Sequence, residues 1–278
     1  MTKRNLIVVS AENNPYIAWQ CKLFHYSCVS RLGQLPLFIV HETDEELSPD
    51  FHEIIKAGGT VRTVPNYRQT PHTDEYPCRN IPASLLHAAE LCRAGEQIVL
   101  CDPDMLFARD PQFPAALAGC FYSYINFDHD FVEPARLKVG VSREAIDAQK
   151  EALRCGGPYV VPVEVARPLA KMWLEAVEAF HPRRWEDVMY AYGLAVIKLG
   201  LRSELLRFVD TNHKQLNPLE SAIIHYCYGD ERWNKRQYFL PEKAQGVWRT
   251  EASAPRETIL GEILTQIREA ASFYQVYW

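Results

Sequence analysis

Strand-like runs at Asn5–Ser10, Leu35–Val40, Thr60–Pro65 and Gln97–Cys101 alternate with segments of helical periodicity. Short strands that are apolar on both faces belong in a parallel sheet covered by helices. Asn14-Pro15 opens the first helix, with Asn as its cap and Pro at its first position. Ile17, Cys21, Phe24 and Cys28 recur along it at helical spacing, and Gly33 ends it. Leu47–Lys56 reads as a second helix and Pro82–Cys92 as a third. Further on, Phe121–Phe127 reads as a strand, and Arg143–Leu153, Val163–Phe180, Trp185–Leu199 and Glu257–Phe273 read as helices. The expectation is an α/β fold with a mostly parallel central sheet flanked by helices.

At 278 residues and 47% hydrophobic content the chain can bury a core without disulfides or metal. No linker rich in Gly, Ser or Pro divides it, so one domain is expected. Thirty basic against 35 acidic side chains leave a net charge of −5, which argues against nucleic acid as a partner. The eight cysteines include no CxxC pair, so a zinc ribbon or redox dithiol is unsupported. Several sit in apolar runs, as Cys101 and Cys120 do, where a thiol behaves as a small hydrophobe. Only four apolar residues, Leu6 to Val9, follow the basic start, too few for a signal core. No stretch approaches the ~18 apolar residues of a membrane span. A reduced, cytoplasmic protein without disulfides is expected.

The chemistry-bearing motif follows the fourth strand, where Ile98-Val99-Leu100-Cys101 runs into Asp102-Pro103-Asp104. Ligands of open parallel sheets bind beyond the carboxyl ends of the strands. Two carboxylates two residues apart at such an end suit a hard divalent cation such as Mg²⁺ or Mn²⁺. Asp-Pro-Asp is also an ordinary turn. A phosphohydrolase of the haloacid dehalogenase class would use the first Asp as its nucleophile. That class places the motif at the first strand and a Thr or Val two residues on, where this chain has Leu106.

Late in the chain, Ser221-Ala222-Ile223-Ile224 ends at His225, followed by Gly229 and Lys235. A His at a strand end can complete a metal site, Gly permits close backbone approach to a phosphate, and Lys neutralises one. His213 is a weaker second choice.

Together these motifs resemble those of retaining glycosyltransferases of GT-A fold. A closer resemblance is to the hydroxyproline O-arabinosyltransferase and peptidyl-serine galactosyltransferase group. It rests on Pro15-Tyr16-Ile17-Ala18-Trp19-Gln20-Cys21, Asn80-Ile81-Pro82-Ala83, Asp102-Pro103-Asp104, Met189-Tyr190-Ala191-Tyr192 and His225-Tyr226-Cys227-Tyr228-Gly229, in one order along the chain.

The resemblance implies a single GT-A domain with a nucleotide-binding half at about 1–125, a donor-sugar and acceptor half at about 126–250, and a helical tail at 251–278. It implies that Asp102, Asp104 and His225 hold Mn²⁺ or Mg²⁺ on a UDP-sugar, with Ser10, Ala11, Arg79, Asn80, Gly229 and Lys235 on the nucleotide and diphosphate. Gly156-Gly157-Pro158 looks like a turn passing close to the donor sugar. Glu186 and Asp187 are the candidate catalytic acids. The relatives carry the acid directly before the Met, where this chain has Val188, so Asp187 is rotated by roughly 100° on a helix. Two acids at a helix N-terminus are also favourable without any catalytic role. The implied activity is transfer of a sugar to the hydroxyl of a peptide, glycan or small molecule, with retention of configuration. The rivals are the phosphohydrolase and a non-catalytic nucleotide-sugar-binding protein.

Overall fold

A computed structural model describes residues 4–42, 46–72, 74–211, 215–227 and 229–276. His213 lies outside the described residues. In chain order the elements are β1 (Arg4–Glu12), α1 (Pro15–Ser27), β2 (Leu37–Glu42), α2 (Pro49–Lys56), β3 (Thr60–Pro65), α3 (Asn80–Ala88), β4 (Glu96–Cys101), β5 (Met105–Phe107) and β6 (Ala118–Phe121). Then come α4 (Val132–Val139), α5 (Arg143–Asp147), β7 (Cys155–Pro162), α6 (Val163–Val177), α7 (Asp187–Lys198), β8 (Glu204–Leu206), β9 (Val209–Thr211), β10 (Ile223–His225), α8 (Pro241–Ala244) and α9 (Ile259–Phe273). The large sheet has the strand order β3-β2-β1-β4-β7-β6-β8, and a small one the order β5-β10-β9.

The described residues form two compact units, one drawn from positions 1–10, 64–101 and 113–207, the other from 11–63, 102–112 and 208–278. In the first, β4 pairs parallel to β1, with Ile7 opposite Val99 and Val9 opposite Cys101. β7 runs antiparallel to both β4 and β6, and β8 runs parallel to β6. Thus β1, β4, β6 and β8 share one direction and β7 alone opposes it, the mostly parallel sheet the sequence calls for. Ile98 to Cys101 are at most 1% exposed, as their unbroken apolar run requires.

In the second unit, Asn14 Oδ1 accepts from the Ile17 N–H at 2.9 Å, so the expected cap is in place. Trp19 and Leu23 of α1 pack with Tyr226, Trp233, Trp248 and the Ile259, Ile263 and Ile267 face of α9. Each of the aliphatic side chains among them contributes about 1.5–3 kcal/mol by leaving water. Gln266 of α9 donates to the Phe107 carbonyl at 2.9 Å, fixing β5 from behind. The C-terminal helix therefore belongs to the core of the unit that carries Asp102 and Asp104.

Two expectations are corrected. Phe121–Phe127 is not a strand: β6 ends at Phe121, and the Ile125 N–H turns back to the Tyr122 carbonyl at 3.2 Å. Gly156 and Gly157 lie in strand β7, not in a turn, because Gly156 pairs with Cys120 of β6.

Candidate metal centre

The site is assembled by strand pairing. β5 follows Asp104 directly and pairs antiparallel with β10, Met105 opposite His225 and Phe107 opposite Ile223. The Tyr226 N–H continues this pairing by donating to the Asp104 carbonyl at 2.9 Å. This register sets His225, far along the chain, against the acidic turn. His225 Nε2 stands 3.2 Å from Asp104 Oδ1 and 3.9 Å from Asp102 Oδ2. One ligand atom from each of Asp102, Asp104 and His225 lies within 4.8 Å of the others.

Lys235 Nζ forms an ion pair with the other oxygen of Asp104, Oδ2. The Lys235 and Asp104 side chains are each 11% exposed, whereas Asp102 keeps 30% of its side chain open. Tyr226 roofs the turn from below: its hydroxyl donates to the Pro103 carbonyl at 3.4 Å, and its ring stacks on Trp19 with centroids 6.2 Å apart.

The charges at the two acids diverge. Burial works against ionisation of Asp104, but Lys235 and His225 outweigh it and hold that carboxyl well below the usual range. Burial pushes Asp102 up to about 6, with the neighbouring Asp104 charge adding to the rise while His225 opposes it. Burial depresses the imidazolium of His225, yet Asp104 raises its pKa overall, and Lys235 is raised by the same carboxylate. Two carboxylates and one imidazole fit a divalent cation. Ligand atoms about 2.1 Å from an octahedral ion stand about 3 Å apart at neighbouring positions, close to the 3.2 Å measured here. Carboxylate oxygens suit hard divalent cations, and imidazole nitrogen suits transition-metal ions.

Gly229 lies in the same unit. A Cβ there would stand 2.2 Å from the Trp233 carbonyl oxygen, so the glycine permits the backbone crossing that leads to Lys235. Gln215, 1% exposed, secures that crossing by donating to the same carbonyl at 2.7 Å. Nothing in the sequence marks Gln215, because its partner is a backbone group fixed only by the fold. Ala11 is 3% exposed in this unit.

The remaining candidates lie in the other unit. Ser10 is buried and its hydroxyl accepts from Ser84 at 2.9 Å. Arg79 donates to the carbonyls of Tyr67 and Gln69, both at 2.8 Å, and forms an ion pair with Glu178. Asn80 accepts from the Tyr67 N–H at 2.9 Å. Arg79 and Asn80 thus fix the 66–69 loop. Gly156 gives room to Met189 and Tyr122, whose side chains would each stand 2.9 Å from a Cβ there, and Tyr122 donates to the Gly157 carbonyl at 2.9 Å.

Glu186 is half-buried, while Asp187 is fully buried at the start of α7. Asp187 Oδ2 accepts from the Arg184 N–H at 2.6 Å, and Oδ1 has no hydrogen-bond partner. Burial pushes its pKa up to about 6. The folded state therefore holds this proton more tightly than the unfolded chain, and Asp187 lowers stability as pH rises from about 4 through 6. Asp187→Asn removes that penalty. Relative to wild type, the variant is expected to gain about 1–3 kcal/mol between pH 4 and pH 7.5. Urea unfolding at both pH values measures it, and parallel pH profiles would refute it.

None of the eight cysteines is joined in a disulfide. Among the described residues, no helix is long and apolar enough to cross a membrane.

No family model matches the chain, and no curated protein does. Solved structures do. An active-site mutant of LgtC aligns over 96% of this chain and 95% of its own, with a TM-score of 0.54 and 14% identity. The galactosyltransferase LgtC in complex with donor and acceptor sugar analogues aligns over 87% of this chain and 95% of its own, with a TM-score of 0.51 and 14% identity. The likeness spans nearly the whole of both chains, and it shows that this chain has the α/β fold of the GT-A glycosyltransferases.

Proposed function

We propose that this chain is a metal-dependent glycosyltransferase that moves a sugar from a UDP-sugar to an acceptor hydroxyl with retention of configuration. The observation that carries the reading is the convergence of Asp102, Asp104 and His225 on one point within a GT-A fold. Those three residues would hold the cation, Mn²⁺ before Mg²⁺. Bound there, it would act as a Lewis acid on the departing diphosphate.

The chain's own groups complete the electrostatics. Lys235 brings a second positive charge to the same carboxylate, and we assign it to the diphosphate. Ser10, Ala11, Arg79, Asn80 and Gly229 are assigned to the nucleotide and diphosphate. Gly156 and Gly157 are assigned to the donor sugar. Of the two candidate catalytic acids, the half-buried Glu186 is assigned to orienting the acceptor hydroxyl, and the buried Asp187 to stabilising positive charge on the sugar in the transition state through its field. We assign the protein to the cytoplasm, a compartment that keeps cysteines as thiols.

A panel of UDP-sugars incubated with Mn²⁺, Mg²⁺ or chelator tests the reading. UDP release from at least one donor, lost on chelation, is the expected result. Phosphate release from simple esters with a phospho-aspartate at Asp102 would replace this reading with the phosphohydrolase. Metal-dependent UDP binding without turnover would replace it with the binding protein.

A further inference from the structure

Trp19, Trp173, Trp233 and Trp248 are at most 2% exposed, yet Trp185 keeps 54% of its surface in water. Its indole lies against Tyr124, which is 45% exposed, with ring centroids 5.5 Å apart and planes at 50°. Burying a tryptophan is worth several kcal/mol, so leaving one open beside a second open ring asks for a reason.

The surrounding structure holds this pair in place. The buried Tyr76 hydroxyl donates to the Trp185 carbonyl at 3.0 Å and accepts from the Val188 N–H at 2.9 Å, fixing the backbone that carries the indole. Tyr124 packs on Tyr122 with centroids 5.5 Å apart, and its hydroxyl reaches the Met189 sulfur at 3.8 Å. Tyr122 and Met189 in turn fill the space that only glycine leaves at position 156.

We propose that Trp185 and Tyr124 are the stacking platform for a carbohydrate acceptor, a subsite that deepens the glycosyltransferase reading and rests on it. A pyranose has an apolar C–H face and a hydroxyl rim. The two ring faces would cover the first, leaving the hydroxyl rim to polar groups and water around them. The apolar area of the two rings suits a small occupant. A stable protein interface needs about 800 Å² on each side. Two rings of about 150–250 Å² each, half exposed, offer a fraction of that, which matches one sugar ring. Rings held in advance also lose little entropy on binding.

The test is saturation-transfer NMR on the full chain with methyl α- and β-galactosides, methyl α- and β-glucosides and lactose, with and without UDP and Mn²⁺. At least one saccharide is expected to bind saturably. Trp185→Ala should weaken it at least about tenfold, with Trp185→Phe restoring part of the loss. Because the indole is exposed, the circular dichroism spectrum of Trp185→Ala should match wild type. Three results would each overturn the proposal: no binding by any saccharide, undiminished binding by Trp185→Ala, or a Trp185-dependent dimer in light scattering. UDP release by the wild type, measured separately, reports on the glycosyltransferase reading, so the two can fail independently.

Discussion

Asp104→Ala is expected to abolish Mn²⁺-dependent UDP binding and to lower UDP release by about a thousandfold, more than the 10–100-fold typical of losing a residue behind a metal ligand. Both oxygens of Asp104 are committed: Oδ1 stands 3.2 Å from His225 Nε2, and Oδ2 holds the Lys235 ammonium. Removing the carboxylate deletes one proposed ligand and takes from the buried Lys235 ammonium and the His225 imidazole the group that both of them contact. The fold should survive, because Asp104 joins the small sheet through its carbonyl, which accepts from the Tyr226 N–H, and alanine keeps that group. Calorimetric titration of UDP with and without Mn²⁺ decides the matter. Metal-dependent binding of unchanged strength in the variant would remove Asp104 from the metal centre.

The parts of this site differ in how readable they are from sequence. Asp102 and Asp104 stand out because an unbroken apolar strand delivers them to a sheet end, and His225 because a second apolar run ends on it. Local chemistry likewise marks the start of α1, since Asn14 and Pro15 act on their own neighbours. The pairing of β5 with β10 is different. It joins residues more than a hundred positions apart, and no local propensity encodes it. The same holds for Lys235, which reads as a ligand for phosphate and is found on Asp104. Gly156-Gly157 reads as a turn because glycine favours turns, but tertiary packing against Tyr122 and Met189 places it in a strand. Trp185 reads as the first turn of a helix. Its exposure follows from where the chain enters α7, two residues later.

Lys22 is the clearest case of a residue whose role only the fold reveals, and its removal should have the largest effect on stability. A lysine on a helix ordinarily lies in water, yet Lys22 is 1% exposed. Its ammonium stands 3.3 Å from Asp50 Oδ1, pairs with Glu53, and lies 5.1 Å over the Trp248 ring and 4.7 Å over the Tyr274 ring. Gln245 donates to the other oxygen of Asp50 at 2.9 Å, and Trp248 donates to Gln245 at 3.1 Å. One cation thus ties α1 to α2 and to the segments on either side of α9. Lys22→Ala leaves Asp50 buried without its counter-charge and should cost about 3–5 kcal/mol. For a chain of this size that corresponds to a melting temperature lower by about 6–20 °C. Burial already raises the Asp50 carboxyl above its usual range with Lys22 opposing the rise. Without the lysine it rises further, so the variant's deficit should widen as pH climbs from the ordinary Asp range toward neutrality. If Lys22→Ala fails to fold, the double variant Lys22→Met, Asp50→Asn supplies the answer, because it removes both buried charges and should recover most of the loss. A single variant within 1 kcal/mol of wild type, or a double variant no more stable than the single, would show that the buried ion pair does not hold these helices together.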